Sequence, residues 1–207
     1  MTILFIWSMC CEWRINMAID RRQEILNAAT KSFSLFGYKA TTMDQVAKLA
    51  NVGKGTIYTF FKNKEELFDE IILKLISDME KAATNAIDED KSFRENVHQA
   101  LYKMLEFRLE HQLTIKLFQE ERDIGTPIVQ EVMQKLEQSI LLFIQEKIER
   151  AIQKGEIKKC DPEITAFILL KLYVALIFDW EKNRKPLQKE EIANLFELYV
   201  FHGLSNR

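Results

Sequence analysis

The chain has 207 residues, of which 47% are apolar and 29% charged, and its formal net charge is -2. Such a length suits one or two domains with a buried core, and such a composition is ordinary for a soluble globular protein. Cys10, Cys11 and Cys160 imply no disulfide framework, and His98, His111 and His202 stand at no ligand spacing from them, so neither zinc nor any other metal is expected.

Charge is unevenly placed along the chain. Residues 17–69 hold eight Lys and Arg against six Asp and Glu, and residues 70–207 hold twenty against twenty-four. A weakly basic head on an acidic body fits a head that meets a polyanion, but the imbalance is too small to carry that reading alone.

The opening stretch, residues 1–16 (MTILFIWSMCCEWRIN), is apolar yet lacks the basic start and small-residue cleavage site of a signal peptide. It is also too short to span a bilayer. It is expected to be a non-native-like or disordered extension ahead of a natural-looking start at Met17, with a membrane or partner anchor as the rival reading. The first helix is predicted over about residues 21–36, burying Ile25, Ala28, Ala29, Phe33 and Phe36 and stopping at Gly37. Thr42, with Gln45 three residues on, makes a capping box for a short second helix. Asn51-Val52-Gly53 breaks that helix, and a third resumes over residues 54–61. Two short helices joined by a turn containing Gly form a helix-turn-helix, the unit that sets its second helix in a DNA major groove.

Asn63 with Glu66 opens a fourth helix, with an apolar stripe of Leu67, Ile71, Leu75, Met79, Ala82 and Ala86. Ser92 with Glu95 opens the fifth, and the sixth lies near residues 113–122. The run Glu120-Glu121-Arg122-Asp123 is expected to be a solvated helix end. Thr126-Pro127 and Asp161-Pro162 start the seventh and eighth, because proline suits a first helical turn. The ninth is predicted over about residues 189–203. No hairpin signal appears. The expected fold is all-α with about nine helices: an N-terminal three-helix head at residues 17–63, carrying the helix-turn-helix, joined to a larger helical body at residues 64–207. Residues 164–178 (ITAFILLKLYVALIF) are apolar on nearly every face, too short for a confident membrane span and interrupted by Lys171. A helix of that kind needs cover all round, so a two-fold homodimer through the eighth and ninth helices is expected.

Within the head, small residues flank Lys54 at the start of the third helix. Lys54, Thr56 and Thr59 are placed to reach base edges, Tyr58 to reach a phosphate, and Lys62 and Lys64 to add positive charge nearby. Several short stretches together resemble the DNA-binding domain of the tetracycline-repressor (TetR) family of transcriptional regulators. They are Gly37-Tyr38, Thr41-Thr42, Val46-Ala47, Ala50-Asn51-Val52-Gly53, Gly55-Thr56-Ile57-Tyr58-Thr59-Phe60-Phe61 and Lys64-Glu65-Glu66-Leu67. The resemblance covers roughly residues 21–67. It implies phosphate contacts from Thr42, Tyr58 and Lys64, and base-facing positions around residues 54–59. The DNA-binding set is therefore Thr42, Lys54, Gly55, Thr56, Tyr58, Thr59, Phe60, Lys62 and Lys64. Three departures from the family pattern stand out. Asn51 replaces the turn glycine and tolerates a left-handed conformation. Gly53 replaces a serine cap. Phe60 replaces a tyrosine and so lacks one hydroxyl.

Met79, Met104, Phe107, Phe118, Phe143, Phe167 and Tyr173 are candidates to line an effector cavity in the body. No nucleotide-cradling loop, Cys-His pair or Glu-x-x-His spacing supports an enzyme, and no cofactor is called for. The expected function is a cytoplasmic homodimeric transcriptional regulator, not an enzyme and not membrane-bound. It is expected to act as a repressor that leaves a double-stranded DNA operator when a small hydrophobic effector binds. The alternative is a helical dimeric interaction protein whose heads meet another protein.

Overall fold

The computed structural model describes the backbone at residues 3–110 and 112–201, and the side chains at residues 21–107 and 112–201. Nine α-helices and no β-strands are found among the described residues: α1 (Ile3–Ala40), α2 (Met43–Leu49), α3 (Lys54–Phe60), α4 (Lys64–Asn85), α5 (Phe93–Glu110), α6 (Gln112–Ile124), α7 (Pro127–Gln153), α8 (Pro162–Val174) and α9 (Lys189–Phe196). The all-α expectation holds. The start of α1 differs from it: the helix begins at Ile3, because no glycine or proline precedes Gly37 to stop it. The side chains of Cys10, Cys11, His111 and His202, and the predicted end of the ninth helix near Gly203, lie outside the described residues.

The helix starts follow their local chemistry. In the Thr42 capping box the hydroxyl accepts the Gln45 amide at 3.3 Å, and the Gln45 side chain accepts the Thr42 amide at 2.8 Å. Ser92 and Glu95 make the same reciprocal pair at α5. Asp161 caps α8 through the Ile164 amide, with Pro162 in the first turn. At α4 the box is shifted by one residue: Asn63 accepts the Glu66 amide, but the Glu66 carboxylate takes the Lys62 amide.

The chain divides into two compact units, the first holding residues 1–75 and 111–130, the second residues 76–110 and 131–207. Helix α6, placed in the body by the sequence boundary at residue 63, thus shares a unit with the head and packs along α1. The first unit's core includes Ile25, Phe33, Val46, Ile57, Phe61, Leu67, Phe68, Leu113 and Leu117, all at most 2% exposed. The rings of Phe33, Tyr38 and Phe68 meet mutually, with centroids 4.7–5.9 Å apart. Phe36 departs from expectation: it is 58% exposed, although Phe33 three residues earlier and Tyr38 two residues later are buried.

The second unit's core joins α5, α7, α8 and α9 through residues such as Leu101, Leu105, Ile148, Leu169, Ile177, Ile192 and Phe196. Two π-turns close its last helices, one over Ala175–Asp179 and one over Glu197–Phe201. Each adds a residue to the turn and so re-aims the side chains that follow. Buried Ile177 lies in the first, and buried Val200 and Phe201 in the second. No helix among the described residues is long and apolar enough to cross a membrane.

Candidate nucleic-acid interface

The turn between α2 and α3 depends on Asn51, whose φ of 53° lies in the left-handed region, as its substitution for glycine requires. The Val52 amide donates to the Ala47 carbonyl at 2.9 Å and closes the turn. Beyond it, α3 has two faces. Ile57, and Phe61 just past its end, are fully buried in the head. The opposite side presents Lys54, Gly55, Tyr58 and Thr59 to solvent, followed by Lys62, with Thr42 exposed at the start of α2. Thr56 and Phe60 are half-buried at the edges of this surface.

The fold itself makes no demand for glycine at the start of α3. Gly53 has φ -66°, open to any residue, and a Cβ there would meet only the Thr56 hydroxyl, at 3.6 Å. A Cβ on Gly55 would meet nothing within 4 Å. The two small residues leave the backbone of the first turn bare toward the outside, where a bulky partner can approach closely.

Several of the predicted side chains have partners within the head. Lys54 pairs with Asp44 at 2.9 Å, and the hydrogen bond and charge of Asp44 raise its pKa above the usual lysine value. Both groups are solvated, so the pair is readily exchanged for another anion. The Thr59 hydroxyl donates to the Thr56 carbonyl at 2.7 Å. Lys64 is more committed. Its Nζ donates to the carbonyls of Tyr38 and Thr41 at 2.9 and 3.0 Å and lies 4.1 Å from the Tyr38 ring centre. Partial burial lowers its pKa, opposed by the charges of Glu120 and Glu65. The same nitrogen keeps one N–H beyond those two bonds.

Glu120 overturns the expectation of a solvated helix end. It is 3% exposed, and its carboxylate accepts the Tyr38 amide at 2.6 Å, the Lys39 amide at 2.9 Å and the Thr126 hydroxyl at 2.8 Å. The physical reason is its place on α6, where Leu113, Leu117 and Glu120 form one buried stripe. That spacing was the available signal, and the charge run obscured it. Nothing local in the sequence marks Asp44 as the partner of Lys54.

The seven effector candidates fall on both units. Phe118 belongs to the first; Met79, Met104, Phe107, Phe143, Phe167 and Tyr173 belong to the second. Tyr173 and Met104 come together, the phenol donating to the Met104 carbonyl at 3.5 Å. Phe107 is buried, while Phe167 is 48% exposed on the outer side of α8.

A helix-turn-helix with one face seated and the other bare is matched at the level of whole-chain comparison. The family profile "Bacterial regulatory proteins, tetR family" matches residues 25–71, and "Tetracyclin repressor-like, C-terminal domain" matches residues 90–204. The chain belongs to the TetR family of transcriptional regulators. It is 66% identical over 189 residues to YhgD of Bacillus subtilis (strain 168), an uncharacterized HTH-type transcriptional regulator, covering 91% of this chain and 99% of that protein. It is 28% identical to the HTH-type transcriptional regulator RutR of Escherichia coli (strain K12), over 72% of this chain and 70% of that one. Among solved structures, AibR in complex with isovaleryl coenzyme A and operator DNA shares the fold with a TM-score of 0.65 at 22% identity, covering 86% of this chain and 97% of that one. TetR-family proteins are transcriptional regulators and not enzymes, and they bind operator DNA as dimers.

Proposed function

We propose that this TetR regulator is a homodimeric repressor whose two heads lay α3 along an operator and leave it when a small hydrophobic effector enters the body. The supporting observation is the two-sided α3, with Ile57 and neighbouring Phe61 inward and Lys54, Gly55, Tyr58 and Thr59 bare. Residues 17–63 act as the DNA-binding domain. Residues 64–207 serve effector binding and dimerisation, with α6 also bracing the head. The setting is the cytoplasm, where the operator is.

The dimer forms through α8 and α9. Ile164, Phe167 and Ile168 leave one side of α8 between 48% and 59% exposed, and Leu198 and Tyr199 follow α9 with 54% and 69%. A second copy packed isologously on that side covers both. This places Phe167 on the dimer face in preference to an effector cavity, leaving Met79, Met104, Phe107, Phe143 and Tyr173 as the second unit's candidates. Replacing Ile168 by glutamate is expected to halve the molar mass measured by light scattering. The separated chain should keep its helical circular dichroism, since the side chain is already exposed in the single chain, and lose only the stability that association contributes.

Helix α4 runs from the first unit into the second and carries the linkage between effector and heads. An effector that binds the released state more tightly by a few kcal/mol empties the operator, and one that binds both states equally does nothing. AibR shows that this fold accommodates an acyl thioester and operator DNA in one protein.

Gel-shift titration on the DNA upstream of the protein's own gene tests the reading. Binding that weakens steeply with salt, and that only the specific duplex competes away, is the expected result. No duplex binding, with a protein captured by the head instead, would establish the interaction-protein reading. Gly55→Ala sharpens the test: the head's stability should hold or rise by about 0.5–1 kcal/mol, because alanine favours a helix. Operator binding should nonetheless weaken by about 1 kcal/mol, because the new Cβ stands where the duplex passes.

A further inference from the structure

Helix α1 is broken at Gly37, and the stretch from there to α2, residues 37–42, is held from two sides by opposite charges. On one side Glu120 of α6 accepts the Tyr38 amide with Oε2 and the Lys39 amide with Oε1. On the other, Lys64 of α4 donates to the Tyr38 and Thr41 carbonyls. The buried Thr41 hydroxyl donates to the Gly37 carbonyl at 2.8 Å and closes the junction on itself. Glu120 has a third partner in Thr126, whose hydroxyl donates to Oε1 and whose carbonyl accepts the first amides of α7. One carboxylate therefore joins two chain reversals, each built on a glycine with positive φ: Gly37 at 82° and Gly125 at 66°.

We propose that Glu120 is a positioning residue for DNA reading, fixing the direction in which α2, and α3 behind it, leave α1. This rests on the DNA-binding reading above. Thr42 caps α2 immediately after the junction, so the place where the Tyr38 and Lys39 amides are pinned sets where α2 begins. A carboxylate offers an acceptor oxygen to each amide, Oε2 to Tyr38 and Oε1 to Lys39, with no donor facing either. Glutamine keeps the volume but offers a single carbonyl, and either way it turns, its NH2 faces one of the two N–H groups. DNA reading then depends on a segment some eighty residues away in sequence, because helices α6 and α7 meet at the residues that hold the junction.

The test compares full-length E120Q and L117A with the unaltered protein on the upstream duplex, at a temperature where circular dichroism shows all three folded. Leu117 lies one turn earlier on the same buried stripe, is 1% exposed and does not take part in the junction's hydrogen bonds, so L117A supplies a destabilised α6 with the junction intact. E120Q should weaken duplex binding by about tenfold or more, while L117A stays within about threefold. E120Q binding as tightly as the unaltered protein, or L117A losing as much as E120Q, overturns the proposal. Should E120Q fail to fold, amide hydrogen exchange on the unaltered protein decides. Tyr38 and Lys39 amides protected like those inside α1 support the role; exchange at the rate of an open loop overturns it. An unaltered protein that binds no duplex defeats the DNA reading itself, whereas tight binding by both proteins defeats only the role of Glu120.

Discussion

Replacing Gly37 by alanine should destabilise the first unit by about 3 kcal/mol or more. Two costs combine. The residue sits at φ 82° and ψ 173°, a region of backbone space that essentially only glycine occupies. A Cβ there would also lie 2.3 Å from Glu120 Oε2. The far end of a side chain usually moves aside cheaply, but this oxygen is held by the Tyr38 amide and its mate by Lys39 and Thr126. Relief of the contact therefore breaks buried hydrogen bonds to a charged group, which cost more than neutral ones to lose. Urea unfolding at fixed protein concentration measures the effect, concentration being fixed because a dimer's apparent stability depends on it. A loss under about 1 kcal/mol would mean that the α1–α2 junction relaxes freely and is not pinned as described.

Phe61→Ala should cost about 3–5 kcal/mol, as full truncation of a buried phenylalanine does. Phe61 is 1% exposed at the C-cap of α3, and its amide donates to the Ile57 carbonyl at 3.0 Å. The Arg22 guanidinium lies 5.1 Å from its ring centre and also grips the Glu70 carboxylate through both its terminal nitrogens. The ring thus lies beside the Arg22 side chain of α1, which in turn holds Glu70 of α4. Its loss should remove operator binding as well as stability, since α3 is too short to hold its shape without tertiary support. Thermal unfolding followed by duplex titration below the new midpoint separates the two effects. Full operator affinity in a folded Phe61→Ala protein would show that α3 is held in place by something else.

Much of the fold was legible because its determinants are local. Thr42 and Gln45, Ser92 and Glu95, and Asp161 with Pro162 each mark a helix start within four residues. Asn51 in a glycine position announced its own left-handed conformation. Ile57 and Phe61, one turn apart, divided α3 into its two faces. What stayed hidden depends on where other elements end. Periodicity places Phe36 on the inward stripe of α1, yet its side chain is exposed while Phe33, three residues earlier, is buried. A run of four charged residues reads as solvated until α6 is seen lying against α1 with Glu120 beneath it. Lys64 looked like a free phosphate ligand, and only the folded junction shows two carbonyls already holding it. Residue type alone marks the effector candidates, and it cannot tell Phe118 of the first unit from Tyr173 and Met104, which meet in the second.

Hydroxyl-radical footprinting of the unaltered full chain on its upstream DNA tests the central claim, that paired bare α3 faces read one duplex. The expected result is two protected, symmetry-related patches with centres about one helical turn (~34 Å) apart or a whole multiple of it. Protection of a single patch, protection without symmetry, or none at all would contradict the account.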